Sequence, residues 1–169
     1  MQAQDTLVSV DEYLNTSYEG PDREYVDGRI LERNLGEKDH SRPQRELIVF
    51  FATRRGAPNT FAFPEQRIQV KATLFRVPDV CVYLGQEPDE QVFRTPPFLA
   101  IEILSKDDRA SDMQEKLDDY REFQIPFVWV IDPRTRLGHT YSLENGYNLQ
   151  LGLRTKNPDI DLDIERLFE

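Results

Sequence analysis

The 169-residue sequence has few of the residues that form disulfides and soft metal sites: it contains one cysteine and two histidines. Structural zinc sites usually take four sulfur or imidazole ligands, so we do not expect one. Cys81 lies in an apolar run and has no partner for an intramolecular disulfide. We interpret it as a small core residue, in a protein of the reducing cytoplasm.

Long apolar runs are also missing, since no stretch approaches the roughly 20 residues of a membrane-spanning helix. Residues 1–10 have neither the basic start nor the apolar stretch of an export signal. The length is typical of one domain with a substantial core. We therefore expect a single domain over residues 1–169, with a core at about 39–133, an N-terminal helix and hairpin at 9–33, and a C-terminal hairpin and tail at 139–169.

Positive charge is in short supply, with 21 Lys and Arg against 31 Asp and Glu and a net charge of −10. Phosphate contacts supply most nonspecific DNA affinity, so this balance disfavours indiscriminate DNA binding. The charge is uneven, however, because basic residues outnumber acidic ones between positions 38 and 55. This basic strip, which keeps nucleic-acid binding possible, consists of Lys38, Arg42, Arg45, Arg54 and Arg55.

Two carboxylates interrupt apolar runs that are typical of buried strands. Asp79 lies in RVPDVCVYLG and Glu102 in FLAIEILS. Strands accommodate acidic residues poorly, and burying an ionised carboxylate without a partner is costly. If the two runs pair in one sheet, the alternation of side chains lets both acids converge near the sheet edge. A shared cation is the simplest explanation for such a pair.

A helix is predicted after the second run, opened by Ser111 with Gln114 three positions later in a capping-box pattern. Its apolar stripe follows helical spacing. Lys116 lies at the margin of this stripe, so its ammonium can extend toward the sheet. The stripe consists of Met113, Leu117, Tyr120 and Phe123.

The remaining pattern predicts a mixed sheet flanked by helices, hence an α/β fold. The predicted helices are a short one from Ser9 to about Leu14 and a longer one with Pro43 near its first turn that ends at Gly56-Ala57-Pro58. The predicted strands are a hairpin over 23–33 turning at Asp27-Gly28, a strand over 60–70 broken at Pro64-Glu65, and a hairpin over 139–151.

Several of these segments together resemble the Uma2 family of endonucleases, a branch of the PD-(D/E)XK nuclease superfamily. The resemblance extends from about Ser9 to Phe168 and rests on Pro78-Asp79, Glu102-Ile103-Leu104-Ser105, Glu115-Lys116-Leu117, Val130-Ile131-Asp132-Pro133, the segment 25–30 and His40. It implies a restriction-endonuclease-like fold, DNA as substrate, a homodimer, and a divalent cation held by Asp79, Glu102 and Ile103.

One position departs from the superfamily pattern, because Leu104 stands where a lysine is expected two residues after the glutamate. Related nucleases can supply this lysine from a following helix. The resemblance therefore favours Lys116 as the substitute, with Lys106 as a weaker candidate.

Four further residues are site candidates: Glu46 is proposed for the catalytic set, and the other three are accessory candidates. Glu46 lies beside the apolar stripe of the predicted helix after Pro43 and can face the same cleft as Asp79. Glu65 and Gln66 follow a proline in the strand expected to neighbour Asp79, where they can act beside the metal. His40 can serve as a base or a phosphate contact, although a histidine at a helix start is commonly a surface group.

Carboxylate oxygens without sulfur or imidazole form a hard site that suits Mg²⁺ or Mn²⁺. Such an ion activates water and offsets charge on a phosphate, while Lys116 orients the water or opposes developing negative charge. The resemblance therefore implies a Mg²⁺- or Mn²⁺-dependent endonuclease acting on DNA, and the grouping of Asp79, Glu102 and Lys116 supports it. The displaced lysine and the acidic charge favour an alternative, a catalytically degenerate nuclease-fold protein that serves as a binding or interaction module.

Overall fold

The computed structural model of the chain describes residues 7–19, 23–33, 37–54 and 58–169. Its helices are α1 (Val10–Asn15), α2 (Lys38–Thr53) and α3 (Ala110–Glu122), with short 3₁₀ turns at Leu143–Asn145 and Ile164–Leu167. Its strands are β1 (Glu24–Val26), β2 (Arg29–Leu31), β3 (Thr60–Pro64), β4 (Ile68–Lys71), β5 (Leu74–Arg76), β6 (Val80–Leu84), β7 (Leu99–Ile103), β8 (Phe127–Asp132), β9 (Leu137–Ser142), β10 (Gln150–Leu151), β11 (Leu153–Thr155) and β12 (Ile160–Leu162).

A mixed sheet of six strands, in the order β10-β9-β8-β7-β6-β3, forms the centre of the protein. Strands β7 and β8 are parallel, and α3 connects them as a crossover, which parallel neighbours require. The other neighbours in this sheet are antiparallel. The expected mixed sheet with flanking helices is therefore confirmed.

Apolar residues at alternating positions along the strands point to opposite faces of this sheet, and each set packs against a helix. On one face, Leu47 and Phe51 of α2 join a core that includes Val80, Ile101 and Trp129. On the other face, α3 packs its apolar stripe against a core that includes Cys81, Ala100 and Val128. Burial raises the pKa of the Cys81 thiol to about 12, which keeps it neutral and agrees with its prediction as a core residue.

A second, antiparallel sheet has the order β2-β1-β5-β4. Its β1–β2 hairpin turns at Asp27-Gly28, as predicted, and Gly28 has a φ of 90° that favours glycine. Tyr25 and Phe75 of this sheet pack on Tyr13 of α1, whose N-terminus is capped by Ser9 as expected. Because β5 runs through Val77 and Pro78 into β6, the chain passes directly from this sheet into the central one.

Two helix starts differ from the prediction. Helix α2 begins at Lys38, so Pro43 lies inside the helix, where its ring is buried, rather than in the first turn. Helix α3 begins at Ala110, and its N-cap Arg109 makes no side-chain capping hydrogen bond. The Ser111 hydroxyl bonds to Asp112 instead, so the predicted capping box is wrong.

Two other predictions were confirmed in modified form. The break at Pro64-Glu65 separates two strands in different sheets, and Glu65 has a φ of 50°. The second hairpin is formed by β9 and a shorter β10, with left-handed Gly146 ending the turn between them. The predicted terminator residues Gly56 and Ala57 lie outside the described residues. In the described part of the chain, no helix has the length and apolar character that crossing a membrane requires.

Candidate metal and catalytic centre

Asp79 and Glu102 lie side by side at the end of the β6–β7 pair. Val80 pairs with Ile101, so continuing the antiparallel register by one residue places Asp79 opposite Glu102. The Ile103 N–H donates to Asp79 Oδ2 at 2.7 Å, and both acidic residues are about 3% exposed. The structure therefore brings together the two acids that interrupt the apolar runs.

Cationic side chains from two other elements also reach Asp79. Arg33, just after β2, donates to Oδ1, and His40 Nε2 in α2 lies 3.2 Å from Oδ2. Burial alone would raise the pKa of Asp79, but His40, Arg33 and the Ile103 N–H together lower it. Burial would likewise lower the pKa of His40, yet its hydrogen bond and charge interaction with Asp79 raise it. Asp79 is thus held as a carboxylate.

Glu102 accepts hydrogen bonds from two residues of α3. The Tyr120 hydroxyl donates to Oε1, and Lys116 Nζ lies 3.0 Å from Oε2. Burial raises the pKa of Glu102, and the nearby charge of Asp79 adds to this, while Lys116 opposes it. Leu104 packs against the core instead of facing the site, and the Lys116 ammonium occupies a position beside the glutamate.

The Lys116 ammonium lies between two carboxylates, because Glu24 Oε1 in β1 is 3.2 Å away. Burial would lower the pKa of Lys116, but the charges of Glu102, Glu24 and Asp79 outweigh it and raise the pKa. The ammonium therefore stays charged at neutral pH.

Glu24 in turn belongs to a buried ion cluster that sequence reasoning missed. Arg76 Nη1 donates to Glu24 Oε2 at 2.9 Å, and the Val77 N–H donates to Oε1 at 3.1 Å. Arg76 also donates to Asp119 at 2.6 Å. Tyr25 pairs with Phe75, which places Glu24 opposite Arg76 in the second sheet. Arg76 interrupts the apolar run LFRV in the way that Asp79 interrupts its own, and this signal was available in the sequence.

Asp79 and Glu102, with the cations that contact them and with Glu24, line a cavity of about 450 Å³. Carboxylates outnumber cations on its wall. The lining consists of Glu24, Ile30, Leu31, Glu32, Arg33, His40, Arg76, Asp79, Glu102, Ile103, Ser105, Asp107, Asp108, Arg109, Asp112, Met113, Glu115 and Lys116.

The other sequence candidates lie outside this lining. Glu46 accepts hydrogen bonds from Arg45, and Gln66 donates to the Arg67 and Gln91 carbonyls. Lys106 is an exposed residue paired with Glu37 at 2.6 Å. Glu65 lies closer, since its N–H donates to the Asp79 carbonyl and its carboxylate is 3.5 Å from Arg33. In place of Glu46, its helix neighbour Gln44 reaches the Asp79 main chain at 3.0 Å.

Main-chain oxygens of the C-terminal segment accept hydrogen bonds from two residues of the basic strip. Arg42 donates to the Glu169 main-chain oxygen, and Arg54 lies 3.5 Å from that of Asp159. Arg45 pairs with Glu46, while Arg55 lies outside the described residues. The contacts of Arg42 and Arg45 thus already use part of the hydrogen-bonding capacity that phosphates would need.

A second cavity, of about 620 Å³, lies between β9, β11 and β12. Its charged groups pair with one another, as Arg154 does with Asp161 at 3.2 Å and Lys156 with Glu144 at 3.0 Å. Because these charges are exposed and paired with one another, the cavity lined by Asp79 and Glu102 is the stronger candidate site.

The donor set at Asp79 and Glu102 fits a hard divalent cation. Both residues line the cavity wall together with Ile103. Across the described residues, no three His, Cys, Asp or Glu side chains are grouped to hold a metal ion. Mg²⁺ usually keeps several of its waters and is bound through one or two carboxylates, so two acids suffice. A cation at this point would compete with Arg33 and His40 for Asp79.

Comparison with known proteins identifies a family and a shared fold. Residues 10–166 match the model of the Uma2 family, which is described as "Putative restriction endonuclease". A crystal structure of "a putative nuclease belonging to DUF820" from Anabaena variabilis is similar, with a TM-score of 0.80 and 22% sequence identity. The match covers 95% of this chain and 97% of that one, and at this identity it shows a shared fold.

A comparison with curated proteins finds no match. The family model nevertheless spans nearly the whole chain, including both acids, Lys116 and the β1–β2 hairpin. The nuclease fold predicted from sequence is confirmed by the solved structure. The chain therefore belongs to the Uma2 family, a family of the restriction-endonuclease type.

Proposed function

We propose that the protein is a metal-dependent endonuclease that hydrolyses phosphodiester bonds in DNA. The observation that carries this proposal is the juxtaposition of Asp79, Glu102 and Lys116 on the wall of one cavity. The two carboxylates lie at the ends of neighbouring strands, and the ammonium is 3.0 Å from Glu102. These are the residue types that phosphodiester hydrolysis needs: oxygen ligands for a hard cation and a compact positive charge.

Asp79, Glu102 and Ile103 would hold Mg²⁺ or Mn²⁺, which supplies an activated water and offsets charge on the phosphate. Lys116 is held charged, so its role is to orient the water or to oppose negative charge in the transition state rather than to accept a proton. Arg33 and His40 face the same carboxylate and can turn toward a phosphate oxygen once a cation occupies Asp79.

The composition of the cavity supports the requirement for a cation. Its carboxylates outnumber its cations, so the wall by itself repels a phosphate. A divalent ion bound between Asp79 and Glu102 would remove most of that repulsion at the point of reaction. DNA binding should therefore strengthen when Mg²⁺ or Ca²⁺ is added, against the general tendency of salt to weaken it.

Calorimetry with Mn²⁺, followed by a plasmid-cleavage assay, tests the proposal. Wild-type protein and Glu122→Gln, which loses an exposed carboxylate of α3, should bind Mn²⁺ and cleave. Asp79→Ala and Glu102→Ala should do neither, while keeping the fold seen by circular dichroism. Equal, negligible Mn²⁺ binding in all four proteins would refute the proposal.

The second candidate is a catalytically degenerate nuclease-fold protein that acts as a binding module. Two observations favour it: cationic side chains already contact both carboxylates, and the net charge is −10. The same titration separates the candidates. A protein that binds DNA without Mn²⁺ affinity would be such a module.

We also propose that the protein acts as a homodimer, because cutting a duplex takes two strand cleavages. Sedimentation equilibrium at micromolar protein concentration measures the assembly directly. A monomer that cleaves both strands at full rate would refute this part of the proposal.

A further inference from the structure

We propose that Glu24 is a positioning residue that holds the Lys116 ammonium at the reaction centre. The inference rests on the proposed function for the chemistry of Lys116, and it adds a residue from the N-terminal hairpin to that site. Glu24 lies far from the other members in sequence and on a different sheet from Asp79 and Glu102.

The geometry shows why one anchor for Lys116 is insufficient. Lysine carries its charge on a flexible four-carbon stem, whose freedom must be restricted for the ammonium to stay at one point. Glu102 contacts the ammonium at 3.0 Å and Glu24 at 3.2 Å, from different strands. Two carboxylates thus determine the ammonium position, whereas Glu102 alone would share its charge between the lysine and a bound cation.

Glu24 is itself rigidly held, which a positioning residue requires. The Val77 N–H donates to the same oxygen, Oε1, that faces Lys116, and Arg76 donates to the other oxygen. Arg76 is anchored on its far side by Asp119 of α3, the helix that carries Lys116. The chain of contacts closes on itself, so the hairpin, β5 and α3 keep one fixed spacing around the ammonium.

Removing the Glu24 charge should therefore affect turnover and spare binding. In Glu24→Gln the side chain keeps its size but attracts the Lys116 ammonium much less. The ammonium is then free to move closer to Glu102. Partners that orient the ligands of a metal site typically contribute about 10- to 100-fold to affinity or activity, and we take the same range for a residue that orients Lys116. We expect a loss of that size in kcat, with KM for DNA and the Kd for Mn²⁺ nearly unchanged.

A double-mutant cycle distinguishes positioning from general support of the fold. If Glu24 acts through Lys116, then adding Glu24→Gln to Lys116→Ala lowers kcat no further. If Glu24 only stabilises the protein, its effect on activity is the same in both backgrounds. A multiplicative loss in the double variant would overturn the proposal.

A spectroscopic measurement tests the same claim without any activity. The Lys116 ammonium, hydrogen-bonded and mostly buried, should give a slowly exchanging ¹H–¹⁵N signal, identified by its loss in Lys116→Arg. This signal should broaden or vanish in Glu24→Gln and persist in Glu122→Gln, which removes an exposed carboxylate of the helix that carries Lys116. An unchanged signal in Glu24→Gln would overturn the proposal.

The two measurements also separate this inference from the proposed function. If the wild type cleaves no DNA, the proposed nuclease function fails, and the ammonium signal still decides whether Glu24 positions Lys116. If the wild type cleaves and Glu24→Gln matches it in kcat, only the positioning inference fails. Should Glu24→Gln fold poorly, Glu24→Asp keeps the charge on a shorter stem, and the cycle with Lys116→Ala is run on that variant.

Discussion

Replacing Arg76 with methionine removes the positive charge that lies between Glu24 and Asp119. Arg76 is about 4% exposed and donates to Glu24 at 2.9 Å and to Asp119 at 2.6 Å. Methionine keeps an apolar stem of similar length, so the main effect is electrostatic rather than a loss of packing. Glu24 is then left buried with Lys116 as its remaining cation, and that lysine already faces Glu102.

The magnitude follows from the burial of the pair. Removing one partner of a buried ion pair costs about 3 to 5 kcal/mol, because the remaining charge stays desolvated without compensation. Asp119 is more exposed and retains Lys71 at 3.8 Å, so most of the cost comes from Glu24. In a chain of this length each kcal/mol lowers Tm by roughly 2 to 4 °C. The melting temperature of Arg76→Met should therefore fall by roughly 6 to 20 °C.

The loss in free energy of unfolding is measured by urea unfolding, and the fall in Tm by thermal unfolding. Both are followed by the fluorescence of Trp129, which is the single tryptophan and is fully buried. Arg94→Met is the matched control, since Arg94 is exposed and 3.9 Å from Glu90; it should change stability by less than about 0.5 kcal/mol. Adding Glu24→Gln to Arg76→Met should recover part of the loss, because it removes the uncompensated carboxylate. A cost for Arg76→Met no larger than that of the control would refute the reasoning.

Three further predictions concern the site. Lys116→Ala and Lys116→Arg should each lower the rate of plasmid cleavage about 100-fold while Mn²⁺ affinity is kept, and Lys106→Ala should have little effect on that rate. A normal cleavage rate in Lys116→Ala together with a loss in Lys106→Ala would contradict the assignment. Arg33→Gln should tighten Mn²⁺ binding several-fold by calorimetry, because it removes a cation that competes for Asp79, and weaker binding would show that Arg33 helps to hold the site. Burial alone would raise the pKa of Glu24, but Lys116, Arg76 and the Val77 N–H lower it below the usual value near 4.5. The ionised Glu24 side chain therefore contributes fully to stability above that pH, and this contribution is lost as the pH falls through the folded-state pKa. Between about pH 6 and pH 3 the Tm of the wild type should thus fall more than that of Glu24→Gln, and parallel curves would argue against this linkage.

Local sequence patterns predicted much of the grouping of residues at the candidate site, because each pattern carries a physical constraint of its own. Two acids within apolar runs require partners, which is why Asp79 and Glu102 could be paired from the sequence alone. Helical spacing placed Lys116 beside the buried face of α3, and its ammonium does reach Glu102. The same spacing described Tyr120 only as apolar, although its hydroxyl donates to Glu102.

Predictions that depended on short capping patterns were less successful. The Ser111 capping box did not form, because the N-cap of α3 is Arg109, two residues earlier, and the serine hydroxyl bonds to its neighbour Asp112. Pro43 indicated a helix start, yet α2 already begins at Lys38. In both cases tertiary packing of a helix decides its ends, since a capping hydrogen bond contributes only about 1 kcal/mol.

The sequence by itself determined most of the strands, the buried face of each long helix, and the two acids with their following lysine, since these depend on periodicities of two and 3.6 residues along the chain. The tertiary structure decided which distant charges complete the site. Glu24, Arg33 and Arg76 belong to a second sheet or its flank, and they meet Asp79, Glu102 and Lys116 only because β5 passes through Val77 and Pro78 into β6. Contacts between residues tens of positions apart depend on how two sheets are joined, and no periodicity within either segment encodes that junction.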